Sequence, residues 1–268
     1  MKLTVLADNN VTFSMQLLGE HGLCFYMEDG EERILLDTGY SGVFMQNAQK
    51  LGIDMDRVTK VVLSHGHDDH SRGLRAFLAE PRDVELIAHP RAFNFKSDRR
   101  GGYSGAPFTA KEAVGRCRLT LADGPLPISE HLTYLGQIPS VMPFEPRYPM
   151  GLTFADGRPA LDYMTDDSAL VYRGREGLTV ITGCSHSGIC NIIEYAKRVL
   201  GDDRVVGVIG GFHLREKGER LDKTVAYLKE SRIPNLYPCH CVALCAKTAM
   251  AAAMEIGELG VGTVIEIE

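Results

Sequence analysis

The sequence has no run approaching the roughly 20 uninterrupted apolar residues that a membrane-spanning helix requires. Met1-Lys2-Leu3-Thr4 leads straight into a strand pattern and not into a charged and then apolar leader, so the expected location is the cytoplasm, with no membrane partner. Basic charge is also short: 29 lysines and arginines face 35 aspartates and glutamates, a net charge of −6. That balance argues against a nucleic-acid surface as the main function while leaving room for local basic patches, and the added basic arm such a factor would need is not found. Cysteine is too sparse for a disulfide framework, with seven residues, an odd number, in a chain of 268, so the thiols are expected to be reduced. No repeat with a period of a few tens of residues is apparent. What remains is a globular composition, 44% hydrophobic, long enough to bury a sizeable core as one large domain or two small ones.

The pattern along the chain alternates strands and helices. Leu3–Leu6 reads as a strand ending at Asp8-Asn9-Asn10, and Gly22–Met27 with Arg33–Leu36 reads as a hairpin around Asp29-Gly30. Val43, Phe44, Ala48 and Leu51 have helical spacing stopped by Gly52, His70–Ala79 reads as a helix, and Val84–Ala88 reads as a strand ending at His89-Pro90. From about 91 to 160 the pattern weakens amid glycines and prolines, which predicts an irregular insert near the site. Its first half concentrates Arg91, Lys96, Arg99, Arg100, Lys111, Arg116 and Arg118, either a solvated face or a grip for an anionic group such as phosphate. Order returns with a hairpin at Ser168–Arg173 and Leu178–Thr182. A helix Ile189–Leu200, a strand Val205–Ile209, a helix Arg220–Ser231, a helix Leu244–Glu258 and a last strand Thr263–Ile267 follow.

Four separate strand ends carry histidine. The densest is Val61-Val62-Leu63-Ser64-His65-Gly66-His67-Asp68-Asp69-His70, where an aliphatic strand ends in three imidazoles and two carboxylates. Buried imidazoles and carboxylates need water or a cation to replace lost hydration, and this spacing favours a cation. His65 and His67, two apart on extended backbone, project to one side and can grip one ion, while Asp69 and His70, past the turn, can reach a second. Two ions need about six to eight protein ligands. The remainder must come from elsewhere, with His186, His213 and His240 as candidates. His89 reads as structural, His21 and His131 have no motif around them, and Cys239, Cys241 and Cys245 are spaced wrongly for paired knuckles and read as core thiols.

The His-x-His-x-Asp-His signature at a strand end resembles that of the metallo-β-lactamase superfamily. That resemblance implies an α/β fold over residues 1–268 as a single domain, a four-layer αββα sandwich of two mixed sheets with helices outside and a mono- or dinuclear metal site at one edge. Ile34-Leu35-Leu36-Asp37-Thr38-Gly39 is similar to the family's strand-Asp-Thr-Gly element, in which the aspartate, here Asp37, orients metal ligands. Where the family pattern has Thr-Gly-Asp with a bridging carboxylate, this chain reads Thr182-Gly183-Cys184. Either Cys184 ligates as thiolate or His186 completes the first site; the latter, with His65 and His67, is the favoured reading, leaving Cys184 behind the ligands. Asp69, His70 and His240 would hold the second ion, Asp69 also taking part in catalysis, and His213 would donate a proton to a leaving group or touch substrate.

Thr182–Ile189 with Asn191, Gly210–Leu214, Pro238–Cys241, Gly136–Pro139 and Phe144-Glu145 further resemble the branch named 7,8-dihydropterin-6-yl-methyl-4-(β-D-ribofuranosyl)aminobenzene 5'-phosphate synthase. The expectation is a metal-dependent hydrolase that uses metal-activated water on a small anionic, phosphorylated or similar, substrate. One or two zinc ions are expected, with iron or manganese as alternatives. The alternatives are the synthase itself or a metal-binding protein without turnover, and an oligomer is left open.

Overall fold

In the computed structural model, which describes residues 1–13, 16–155 and 157–268, two sheets lie face to face with helices on both outer sides. Alternation within the strands builds this layering, because successive side chains point to opposite faces of a sheet. In the first strand, Lys2–Ala7, Leu3 and Val5 enter the core between the sheets while Leu6 faces the helices. Phe25 and Met27 of Cys24–Asp29 point inward and Cys24 and Tyr26 outward, and Val62 and Val61 of Lys60–Val62 divide in the same way. Facing them across the inner core are Tyr134, Leu170, Tyr172, Ile181 and Ile209 of the second sheet.

The first sheet runs in the order Val264–Glu266, Lys2–Ala7, Cys24–Asp29, Glu32–Leu36, Lys60–Val62, Glu85–Ala88, Arg118–Leu121. Its last four strands are parallel. The second runs Asn235–Pro238, Val205–Gly210, Leu178–Thr182, Ala169–Arg173, Leu132–Tyr134, Leu126–Pro127, with the first three parallel. Parallel pairing puts the carboxyl ends of neighbouring strands at one edge, the place where open α/β sheets usually bind ligands. Asp37, His65, Cys184, His213 and His240 all follow such ends. No helix of the described residues is long and apolar enough to cross a membrane, and all seven cysteines are free.

Three expectations differ from the structure. The single helix expected over His70–Ala79 is two short ones, Asp68–Ser71 and Leu74–Phe77. The carbonyls of Asp69 and His70 accept from the backbone N–H groups of Leu23 and Thr38, at 3.2 and 2.7 Å, so they are not free to propagate a helix. A side chain at Gly73 would meet the Thr38 carbonyl at 2.0 Å, which fixes glycine at the break. The helix expected over Leu244–Glu258 stops at Ala253. The stretch 91–160 is not uniformly irregular: Arg118–Leu121 is the edge strand of the first sheet, and Leu126–Pro127 and Leu132–Tyr134 pair in the second. Only Lys96–Asp98, Gly151–Ala155 and Arg158–Leu161 form a small sheet of their own.

Glu145 fastens the later part of that stretch to the body. Fully buried, its carboxylate accepts the N–H groups of Asn191 at 2.9 Å and Cys190 at 3.2 Å in the first turn of the helix Ile189–Leu200. An anionic acceptor there satisfies donors the helix cannot. The Asn191 side chain returns the link, accepting from Val141 and Met142 N–H, both at 2.7 Å, and donating to Ser187 at 2.7 Å. Glu145→Ala leaves buried donors unpaired and should destabilise the protein by about 1–3 kcal/mol, read as a lower urea midpoint. A midpoint unchanged from the parent would show that this link contributes nothing.

Candidate metal centre

The site forms where the ends of the two sheets meet. Asp37, at the end of Glu32–Leu36, is fully buried and has a left-handed φ of 60°, uncommon for a non-glycine residue. Its carboxylate accepts Ser64 N–H at 2.8 Å and Ser64 Oγ at 2.7 Å and pairs with His70 Nδ1 at 2.7 Å. Ser64 Oγ lies 2.9 Å from His65 Nδ1. One carboxylate thereby orients two rings, directly and through a hydroxyl, and leaves the Nε2 atom of each for the centre.

There His65 Nε2 lies 3.2 Å from His67 Nδ1, and the ring of His186 sits 4.8 and 4.9 Å from those of His65 and His67. The three offer ligand atoms that all fall within 4.8 Å of one another. His70 Nε2 lies 3.1 Å from His240 Nε2, which is 3.4 Å from Asp69 Oδ2, forming a second such group. Cys184 Sγ, 3.2 Å from His70 Nε2, belongs to a group with His65 and His70 and to another with His240 and Cys241. The structure therefore brings together His65, His67, Asp69, His70, His186 and His240, and sets the Cys184 sulfur among their ligand atoms and not behind them. His213, whose ring centroid is 4.4 Å from that of His186, is in none of these groups.

Burial holds His65 and His186 well below the usual imidazole pKa and brings His67 down to about 4. Burial, aided by Arg215, takes His213 to about 3. These rings are neutral at pH 7, with lone pairs available. At His70 burial opposes charge, but the Asp69 and Asp37 carboxylates outweigh it and raise the pKa to about 9. Burial and the adjacent Cys241 push the Cys184 thiol up; at Cys241 burial is outweighed by the hydrogen bond with Cys184 and by His240, giving a value of about 6.

Several residues of the site carried no signal in the sequence. Asp8 and Asn9, from the turn after the first strand, seat His240: Asp8 Oδ2 accepts its N–H at 3.0 Å and Asn9 Oδ1 meets its Nδ1 at 2.8 Å. Asp166 accepts Gly66 N–H at 2.8 Å between the two first-motif histidines. Lys96, expected within an exposed basic cluster, is 2% exposed and paired with Asp162 and Asp166, both at 2.9 Å. The rest of that cluster is dispersed: Arg118 pairs with Asp83, Arg91 reaches Thr165, and Arg116 binds the Leu78 carbonyl. His21, two-thirds exposed, stands 3.6 Å from Asp69 at the rim. His89 caps the short turn at Pro90–Phe93, and His131 stacks on Tyr172 away from these groups.

The donor set fits a divalent transition metal. Imidazole nitrogens crowd to 3.1–3.2 Å, and the buried His186 Nε2 has no hydrogen-bond partner among the described residues, which is costly unless a cation takes the lone pair. Nitrogen and sulfur donors suit zinc, iron or cobalt better than magnesium or calcium.

The chain is 30% identical over 256 residues to the 7,8-dihydropterin-6-methyl-4-(beta-D-ribofuranosyl)-aminobenzene-5'-phosphate synthase of Methanocaldococcus jannaschii, spanning 90% of this chain and 87% of that one. An uncharacterised protein of the same organism is 30% identical over 270 residues, covering 99% and 100%. The crystal structure of a metal-dependent hydrolase of the beta-lactamase superfamily superposes at a TM-score of 0.86 and 30% identity over 100% of this chain and 99% of that one. Zinc-bound PqqB of Methylobacterium extorquens shares the fold at a TM-score of 0.60 and 12% identity, over 100% of both. Residues 18–200 match the metallo-beta-lactamase superfamily, and the chain belongs to it.

Proposed function

We propose that the protein is a metal-dependent hydrolase acting on a small anionic substrate, with one metal position formed by His65, His67 and His186 and a second by Asp69, His70 and His240. The observation that carries this reading is the convergence of neutral, buried imidazole nitrogens from both sheets on one edge. A bound divalent ion supplies a Lewis acid that lowers the pKa of water from 15.7 toward about 7 and polarises an electrophile.

The chain's own residues do the rest. Asp37 fixes His65 and His70 so that their Nε2 atoms face the centre. Asp69, where burial is outweighed by His70 and His240 so that the carboxylate stays ionised, is placed to accept a hydrogen bond from the attacking group and orient it. His213, beside His186 and with a buried Nε2 lacking a partner among the described residues, is placed to hydrogen-bond the departing oxygen.

A second reading, synthesis joining a dihydropterin to a phosphorylated arylamine riboside, is favoured by the 30% identity to the archaeal synthase. Incubating the metal-loaded protein with dihydropterin pyrophosphate and the arylamine phosphate, while following pyrophosphate release, separates the two. Release that requires both substrates supports the synthase, whereas turnover of phosphoesters, thioesters or lactones without an amine acceptor supports the hydrolase. Under either reading His67→Ala removes a metal ligand and should lower kcat by at least about 100-fold, since residues that merely support such ligands account for about 10–100-fold; parental turnover in that variant would contradict the site.

Asp37→Asn keeps the shape of the side chain but removes the charge that orients His65 and His70. Zinc affinity, read by competition with a chromophoric chelator, should fall about 10–100-fold. Unchanged affinity would show that Asp37 does not organise the ligands.

A further inference from the structure

Among the residues at the centre, Cys184 differs in kind, and its position is what the surrounding backbone is built to achieve. It follows the strand Leu178–Thr182 through Gly183. A side chain at Gly183 would meet Ser64 Oγ at 2.1 Å and Asp37 Oδ2 at 2.9 Å. Glycine therefore lets the end of the second sheet close onto the Asp37–Ser64 support of the first. The next residue, Ser185, takes a left-handed φ of 57°, held by its hydroxyl donating to the Gly211 carbonyl at 2.7 Å. Between these two constraints the Cys184 side chain is 3% exposed.

A thiol that served only packing would be lined by carbon. This one has His70 Nε2 at 3.2 Å and shares one ligand-atom group with His65 and His70 and another with His240 and Cys241. Its sulfur is thereby grouped with donors of both metal positions, His65 of the first and His70 and His240 of the second. With zinc–sulfur and zinc–nitrogen bonds of about 2.3 and 2.0–2.1 Å, tetrahedral ligand atoms around one ion stand about 3–4 Å apart. The separations of 3.2 Å to Cys184 Sγ and 3.1 Å to His240 Nε2 from His70 Nε2 fall in that range. Cys241 has another engagement: its sulfur accepts His213 N–H at 3.3 Å and lies 3.6 Å from the Cys184 carbonyl oxygen.

Resting on the metal-site reading above, we infer that Cys184 is a thiolate ligand linking the two metal positions, so that this centre is a sulfur-bridged one selective for thiophilic divalent ions. Coordination deprotonates the thiol outright, and the proton leaves to solvent. A sulfur donor favours zinc, iron or cobalt and disfavours magnesium and calcium.

Titration of the metal-free protein with cobalt(II), followed by absorption, tests this without an activity assay. The parent should develop visible d–d bands, reporting cobalt held by protein ligands, together with a near-ultraviolet sulfur-to-cobalt charge-transfer band. Cys184→Ser and Cys184→Asp should keep d–d bands and lose the charge-transfer band, Asp retaining the greater cobalt stoichiometry because a carboxylate can also bridge. Cys241→Ser should keep both. Visible bands without charge transfer in the parent, or charge transfer that survives in Cys184→Ser, would overturn sulfur ligation while leaving the metal site standing. No cobalt band of any kind would overturn the metal-site reading and this inference with it.

Discussion

The carboxylate of Asp37 is the constraint from which the rest of the site follows. It is fully buried and would be costly there without partners, yet it has three: the Ser64 amide, the Ser64 hydroxyl and the His70 ring. Through them it fixes the end of the strand Lys60–Val62 and the first helical turn after it, and through Ser64 it turns His65. The same carboxylate is approached by Gly183 from the second sheet. A single buried charge thus aligns the ends of both sheets and the rings that project from them.

The rest of the edge stores strain that the packed sheets support. Asp37, Ser185, His213 and His240 all have left-handed φ values, between 47° and 60°. Non-glycine residues in that region cost of order 1–3 kcal/mol each unless the surroundings over-determine them. Here they do: Asp8 and Asn9 hold His240 on both its amide and its ring, and the Gly211 carbonyl holds Ser185. Three buried clusters, one between the sheets and one beneath each helical layer, supply the stability against which these conformations persist. On the far side of the first motif, Lys96 with Asp162 and Asp166 ties the small accessory sheet to the Gly66 amide, so the segment outside the main sheets also helps set the turn between His65 and His67.

Much of this architecture is written in local pattern. Leu3–Leu6, Arg33–Leu36 and Leu178–Thr182 announce themselves as strands because buried runs of β-branched and aliphatic residues have few other uses, and a histidine or aspartate immediately after such a run marks a strand end exposed to chemistry. What stayed hidden depends on tertiary contact. The break at Gly73 is set by amides from Leu23 and Thr38, distant in sequence, and the strand Arg118–Leu121 is made by an edge pairing that proline-rich surroundings disguise. Lys96 looked like surface charge because its two aspartates lie more than 60 residues away. Asp8 and Asn9 look like an ordinary turn until His240, more than 230 residues later, packs against them.

The central claim is that imidazoles from both sheets share bound cations at this edge. Anomalous X-ray diffraction from crystals grown with zinc, recorded on either side of the zinc absorption edge, tests it directly. The account predicts anomalous peaks among His65, His67 and His186 and among Asp69, His70 and His240. Fully formed side chains in zinc-containing crystals with no anomalous density between them would contradict it.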